Sequence, residues 1–226
     1  MKRVITALLA ALLILSLAAC GSGVETKKLA GTWTCTIDVT DRMNAAAEQA
    51  LGLSAADGTA QMPLQLVLTV AEDGAYTLRY DSDAVRTALD AYAAALHPAA
   101  VESVYAAAEE QGLSREEYDA AMEKAGITMD DMVAAIFAGV DEEELLSLLT
   151  GRSAALTGYC RAEGGQLYLA DTAAELAETA DCLSYTLSDG TMTWTDAQGE
   201  LSSQLTEQEQ ELLRVPLTWT KQEESK

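Results

Sequence analysis

Three pairs of short segments constrain this chain more than any other feature. Each pair alternates apolar and polar side chains and is joined by a tight glycine turn. Leu64, Leu66, Leu68 and Val70 share one face of a segment that turns through Glu72-Asp73-Gly74 into Tyr76, Leu78 and Tyr80. Leu156 to Glu163 turns at Gly164-Gly165 into Leu167-Tyr168-Leu169, and Leu183 to Ser188 turns at Asp189-Gly190 into Met192-Thr193-Trp194. A period of two is the period of a half-buried strand, and glycine turns at this spacing predict hairpins. Two single strands frame them. Trp33, Cys35, Ile37 and Val39 face one way, with Thr34, Thr36 and Asp38 facing the other, and a last strand runs near Val215 to Thr220. Eight short antiparallel strands with tight turns predict a closed up-and-down barrel, because closure leaves no strand edge unpaired.

A second texture lies between strands three and four, over residues 82–151. Gly112-Leu113-Ser114 with Glu116, Glu117, Tyr118 and Met122 returns as Gly126-Ile127-Thr128 with Asp130, Asp131, Met132 and Ile136. It returns again as Gly139-Val140-Asp141 with Glu143, Glu144, Leu145 and Leu149. In each unit a glycine ends one helix, and a Ser, Thr or Asp caps the next. An acid three residues on completes a capping box and suits the helix dipole. Ser82 or Asp83 is expected to cap an earlier helix reaching Leu96. Pro98 is expected to interrupt it before another helix runs to Gln111. Shorter helices are expected over Asp41–Leu51 and Glu207–Arg214. The expected fold class is therefore mainly β with an α insertion: an eight-stranded antiparallel barrel carrying a helical insertion between strands three and four.

The chain opens with Lys2 and Arg3, then an apolar run from Val4 to Ala18 that is short for a membrane span. Leu17-Ala18-Ala19-Cys20 matches the bacterial lipobox, a cleavage site whose cysteine becomes lipidated. Residues 1–19 are thus expected to be a lipoprotein signal peptide, with Cys20 the lipidation site. Residues 20–28 then form a flexible tether, and 29–222 form the barrel interrupted by the insertion. The expected location is extracytoplasmic, lipid-anchored to the bacterial cell membrane.

With 36 acidic against 14 basic residues, the net charge is -22. Such a chain has little to offer phosphates, which excludes nucleic acid as a partner. It would also be repelled by anionic lipid, so membrane attachment falls to the acyl chains on Cys20. The acids sit at helix starts and lack the spacing of a calcium loop. Beyond Cys20 there are Cys35, Cys160 and Cys182, with neither pairs at zinc-site spacing nor any histidine besides His97. No metal and no cofactor are expected. The three cysteines allow one disulfide with one thiol left over, or three buried thiols.

Leu29-Ala30-Gly31-Thr32-Trp33 resembles the opening of lipocalin-like barrels, where a Gly-x-Trp starts the first strand and the Trp plugs the closed end. More closely, the chain is similar to the lipocalin-like domain lipoproteins of anaerobic gut bacteria, a family of unknown function. The shared pattern is the GTW strand, the EDGxYxL hairpin, a helical insertion, a glycine-rich hairpin and the final PLTW-K strand. The resemblance covers most of the chain after Cys20. It implies an eight-stranded up-and-down lipocalin-like barrel, closed by Trp33, Trp219 and Lys221, with Lys221 covering Trp33 through a cation–π contact. Trp33, Trp194 and Trp219 are expected to point inward on neighbouring strands.

Two functions are compatible with this pattern. The first is non-catalytic binding of a small apolar or amphipathic molecule inside the barrel, lined by Tyr76, Tyr80, Tyr185 and Trp194. The alternative is a structural or partner-binding envelope lipoprotein that meets an envelope protein through its helical insertion. An enzyme is not expected: there is no G-x-S-x-G elbow, and His97 stands just before a proline.

Overall fold

A computed structural model describes residues 24–53, 60–137, 143, 145–147, 155–178, 182–198, 211 and 213–223. Cys20 and the segment before it, the start of the third helical repeat at 139–142, and most of the helix expected over Glu207–Arg214 lie outside the described residues.

The eight strands are β1 (Gly31–Asp38), β2 (Pro63–Val70), β3 (Ala75–Tyr80), β4 (Leu156–Glu163), β5 (Gln166–Ala170), β6 (Cys182–Ser188), β7 (Thr191–Gln198) and β8 (Leu217–Lys221). They pair antiparallel in sequence order and close, β8 against β1, into an up-and-down barrel. The turns supply the local reason. At β6–β7 the two-residue loop Asp189-Gly190 takes φ of 45° and 76°, and Gly164-Gly165 at β4–β5 takes 61° and 78°. Positive φ at both central positions matches the twist of the flanking strands, as in type I′ hairpins. At β2–β3 a longer turn is closed by the Ala71 N–H to the Ala75 carbonyl (2.8 Å).

Residues directly opposite across a ladder share a face. The register therefore gives the interior from strand to strand. Leu66, Leu68 and Val70 stand opposite Tyr80, Leu78 and Tyr76, and Tyr76 and Leu78 stand opposite Gly158 and Leu156. Cys160 and Ala162 face Leu169 and Leu167, and Leu167 faces Leu183. Tyr185 faces Trp194, which faces Leu217, and Met192 faces Trp219. Most of these side chains are buried. Fully burying one large apolar side chain stabilises by about 1.5–3 kcal/mol, so this face carries the barrel.

The short turns after β2, β4 and β6 gather at one end of the barrel. The Lys221 N–H donates to the Gly190 carbonyl (2.8 Å) there, and the Cys160 N–H to the Gly74 carbonyl (2.7 Å). A short helix, α1 (residues 24–29), is bound at this same end. Thr26 is buried and its Oγ1 accepts from the Ala162 N–H at 3.0 Å, while Glu25 Oε2 accepts from the Gly164 N–H at 2.8 Å. This corrects the expected flexible tether over residues 24–28. Backbone donors of β4 and its turn find side-chain acceptors on the segment, and those contacts order it.

The chain divides into two compact units. The second comprises Thr36–Gln65 and Asp81–Ser153 and carries α2 (Thr40–Leu51), α3 (Ser82–Glu110), α4 (Arg115–Ala125) and α5 (Met129–Phe137). Asp81 caps α3, accepting from the Ala84 N–H. Ser114 and Glu117 form a capping box at the start of α4, and Gly126 ends that helix in the left-handed region. Thr128 and Asp131 exchange the same reciprocal bonds at the start of α5. Leu53, Ala100 and Val133 form the apolar centre joining α3 to α5.

The expected break at Pro98 does not occur, because α3 runs through it. A proline removes one helical hydrogen bond, but packing on both sides outweighs that loss. Leu96 and Ala100 flank Pro98 and are both fully buried. His97 accordingly sits within the helix, its Nε2 3.0 Å from Asp130 Oδ1 of α5. Arg115 adds a two-pronged contact to Glu102 (2.7 and 3.0 Å), and the guanidinium holds the Glu102 carboxyl below its usual range.

Candidate functional site

The barrel interior collects every aromatic residue singled out in the sequence, but in three separate places. At the turn end, Trp33 of β1 stands opposite Lys221 of β8. The Lys221 ammonium lies 5.3 Å from the centroid of the Trp33 ring, and Trp33 is 1% exposed. Its Nε1 donates to the Leu29 carbonyl of α1 at 2.7 Å. All the polar capacity of this indole is therefore used. Gly31 lets Lys221 cross the strand start: a Cβ there would stand 2.7 Å from Lys221 Cε.

On β3, Tyr76 is buried and Tyr80 is half-buried. The Tyr76 ring lies over Gly158 of β4, where a Cβ would stand 2.9 Å from Tyr76 Cε1. An aromatic side chain covering a strand glycine fills the space that the glycine leaves. Tyr76 is thus committed to packing.

The third place is on β6, β7 and β8. Trp194 and Trp219 sit with ring centroids 4.8 Å apart and planes tilted by 45°. Trp194 is 7% exposed and Trp219 fully buried. Tyr185 is the cross-strand partner of Trp194. Burial raises the Tyr185 hydroxyl pKa, and the charge of Glu25 adds to it. This pair differs from Trp33 in one respect that bears on chemistry. Neither the Trp194 nor the Trp219 Nε1–H finds an acceptor among the described residues. A buried donor left unsatisfied costs about 1–3 kcal/mol, and such groups are few in folded proteins. An indole nitrogen can only donate, so each of these N–H groups can take one acceptor and nothing else.

The sequence grouped Trp219 with Trp33 and Lys221 as barrel closure. The structure places Lys221 on Trp33, whereas Trp219 meets Trp194 with its ring tilted. Alternation alone cannot show this split, because it depends on the stagger between strands. Tyr76 and Tyr80 lie on β3, four strands from β7 in the ring of eight.

The cysteines lie apart. Cys35, Cys160 and Cys182 are buried thiols. Cys160 is on the interior face, while Cys182 shares the outer face with Gln166, its Sγ 3.3 Å from Gln166 Oε1. Among the described residues no cluster of three His, Cys, Asp or Glu side chains could hold a metal ion, and no helix is long and apolar enough to cross a membrane. Compared with known proteins, the chain matches no family model, no curated protein and no solved structure.

Proposed function

We propose that this protein is a non-catalytic binding module. In this reading it is held at the outer side of a bacterial cell membrane by lipid on Cys20, and its barrel takes a small apolar or amphipathic molecule. The observation that carries the reading is the pair of buried indole donors, Trp194 and Trp219, with no acceptor among the described residues in an apolar interior. A ligand oxygen would satisfy what the fold leaves open. The surroundings favour an uncharged acceptor such as a ketone, ester or ether. The Lys221 ammonium lies over Trp33 rather than over this pair, and the chain as a whole carries a charge of -22. A carboxylate buried without a counter-charge is strongly disfavoured.

Displacement of a fluorescent apolar probe, N-phenyl-1-naphthylamine, tests the reading. The expected result is uptake of the probe, displacement by 2-dodecanone at lower concentration than by dodecanoate at pH 7, and weaker ketone binding in Trp194→Phe and Trp219→Phe. Each lost hydrogen bond is expected to cost about 1 kcal/mol, or roughly fivefold in affinity. Absence of probe uptake, with no ligand-induced change in tryptophan emission, would overturn it.

One feature favours the partner-binding alternative. Helix α4 buries none of its residues, and Leu113 and Ile127 at its two ends are 39% and 41% exposed. If an envelope protein docks there, Leu113→Asp with Ile127→Asp should abolish a cellular crosslink that the parent protein forms. An unchanged crosslink pattern counts against the alternative.

A further inference from the structure

We infer that the barrel meets the lipid surface with the end that carries its short turns, so that the β5–β6 connection points away from the bilayer. The inference rests on the reading of Cys20 as the lipid anchor. Three residues, 21–23, separate Cys20 from Val24 at the start of α1. A residue spans at most about 3.6 Å, so the anchor lies within roughly 14 Å of that helix.

Contacts to the turn end hold α1 in place. Thr26 Oγ1 accepts from Ala162 and Glu25 from Gly164 at the β4–β5 turn. The Thr26 methyl reaches Gly74 of the β2–β3 turn, 3.4 Å from where its Cβ would be. The Leu29 carbonyl receives the Trp33 indole N–H. Four contacts of one short helix thus tie the anchor to one end of the barrel. Strands in an eight-stranded barrel tilt by about 35–45°. An eight-residue strand such as β4 therefore carries the far end about 20 Å further along the axis. The reach of the anchor is shorter than that distance.

Charge does not set this orientation. Lys27 and Lys28 are exposed on α1, but Glu72, Asp73, Glu163 and Asp189 are exposed on the turns beside it. The short covalent link holds the end near the bilayer, and the docked helix transmits that position to the barrel. The role of α1 is then positional: it converts an attachment at one residue into an orientation of the whole barrel unit.

Collisional quenching in vesicles tests this. The full chain, acylated in its host, is prepared as two single variants: Asp189→Cys at the turn end and Glu178→Cys in the β5–β6 connection. Each is labelled with a thiol-reactive fluorophore, the parent protein giving the background from its buried thiols. Each is then inserted into phosphatidylethanolamine–phosphatidylglycerol vesicles containing a headgroup spin-labelled lipid. Quenching is expected to be several-fold stronger at position 189 than at 178. Adding Glu25→Ala with Thr26→Val, which removes both hydrogen bonds from α1 to β4 and its turn, should narrow that difference. Equal or reversed quenching in a protein whose acyl chains are confirmed by mass spectrometry overturns the orientation alone. A mass spectrum showing no acyl chain on Cys20 removes the anchor and the orientation with it, while leaving ligand binding by the barrel untouched.

Discussion

The Lys221 ammonium stands 5.3 Å from the centre of the Trp33 indole, across the seam where β8 closes on β1. The contact joins the first strand to the last, so it acts on the step that completes the barrel. Lys221→Met keeps the aliphatic stem and removes the charge. It is expected to lower stability to urea by about 0.5–1 kcal/mol, the usual size of such a contact when partly exposed. A variant as stable as the parent would show that the stem alone matters.

Gly31 precedes that contact and holds φ at +127°. Gly31→Ala is expected to cost about 1–3 kcal/mol, because a side chain is strained in that backbone region. The lysine tail is flexible and can move away from the new methyl group. The double variant Gly31→Ala with Lys221→Ala should therefore recover little of the loss. Full recovery would mean that the clash, not the backbone, sets the cost.

Gly158 is closed in from two sides. A Cβ there would stand 2.4 Å from the Ala170 carbonyl oxygen and 2.9 Å from Tyr76 Cε1. Gly158→Ala should destabilise by roughly 2–3 kcal/mol, since overpacking at a rigid backbone atom forces the strand to shift. Adding Tyr76→Leu relieves only the ring contact. Denaturation of the double variant should leave most of the loss in place.

Thr26 is the acceptor for the buried Ala162 amide. Thr26→Val keeps its shape and leaves that N–H without its partner, which costs about 1–3 kcal/mol. Hydrogen exchange at the Ala162 amide should quicken in the variant while exchange in α3 stays as it was. Unchanged protection at Ala162 would contradict the role given to α1.

Burial pushes the Cys160 thiol from its ordinary value near 9 up to about 12, with the Asp73 charge adding to the rise. It pushes Cys35 up to about 11, against a backbone hydrogen bond from Thr218. Both should resist alkylation at pH 8 in the folded protein and react on unfolding. The sign of the linkage follows. Above pH 9 the unfolded thiols lose protons that the folded ones keep, so stability falls as pH rises from about 9 towards 12. Replacing both cysteines by alanine should flatten that fall in a pH series of urea melts.

Pro98 interrupts the hydrogen bonding of α3 but not its course. Pro98→Ala restores an N–H donor in a helix whose neighbours Leu96 and Ala100 are already locked by packing. Stability of the helical unit is expected to rise by about 1–3 kcal/mol, read as a higher thermal midpoint. A lower midpoint would mean that a bend at Pro98 is needed to seat Ala100 against Leu53 and Val133.

Hairpins, strand faces and helix caps were legible because each is local. Asp189-Gly190 takes positive φ at both positions wherever it stands between two alternating strands, and Ser114 with Glu117 forms its capping box from four consecutive residues. The alternation of β1 and β8 likewise predicts that Trp33 and Trp219 point inward. Pro98 misled, because the penalty of a proline is local while the packing of Leu96 and Ala100 that outweighs it is not. Residues 24–28 misled for the same reason. Nothing in a short polar stretch after Gly21-Ser22-Gly23 announces that Ala162 and Gly164 will need acceptors.

By itself the sequence determined the strand pattern, the closed order of the barrel and its acidic surface, all properties of neighbouring residues or of composition. Only the tertiary structure decided where each indole donor goes and that Trp194 meets Trp219. Trp33 donates to the Leu29 carbonyl, while Trp194 and Trp219 meet with tilted rings and find no acceptor for their N–H groups among the described residues. The physical reason is stagger. Strand tilt sets the height of each inward residue in the barrel, and tilt arises from closing all eight strands at once.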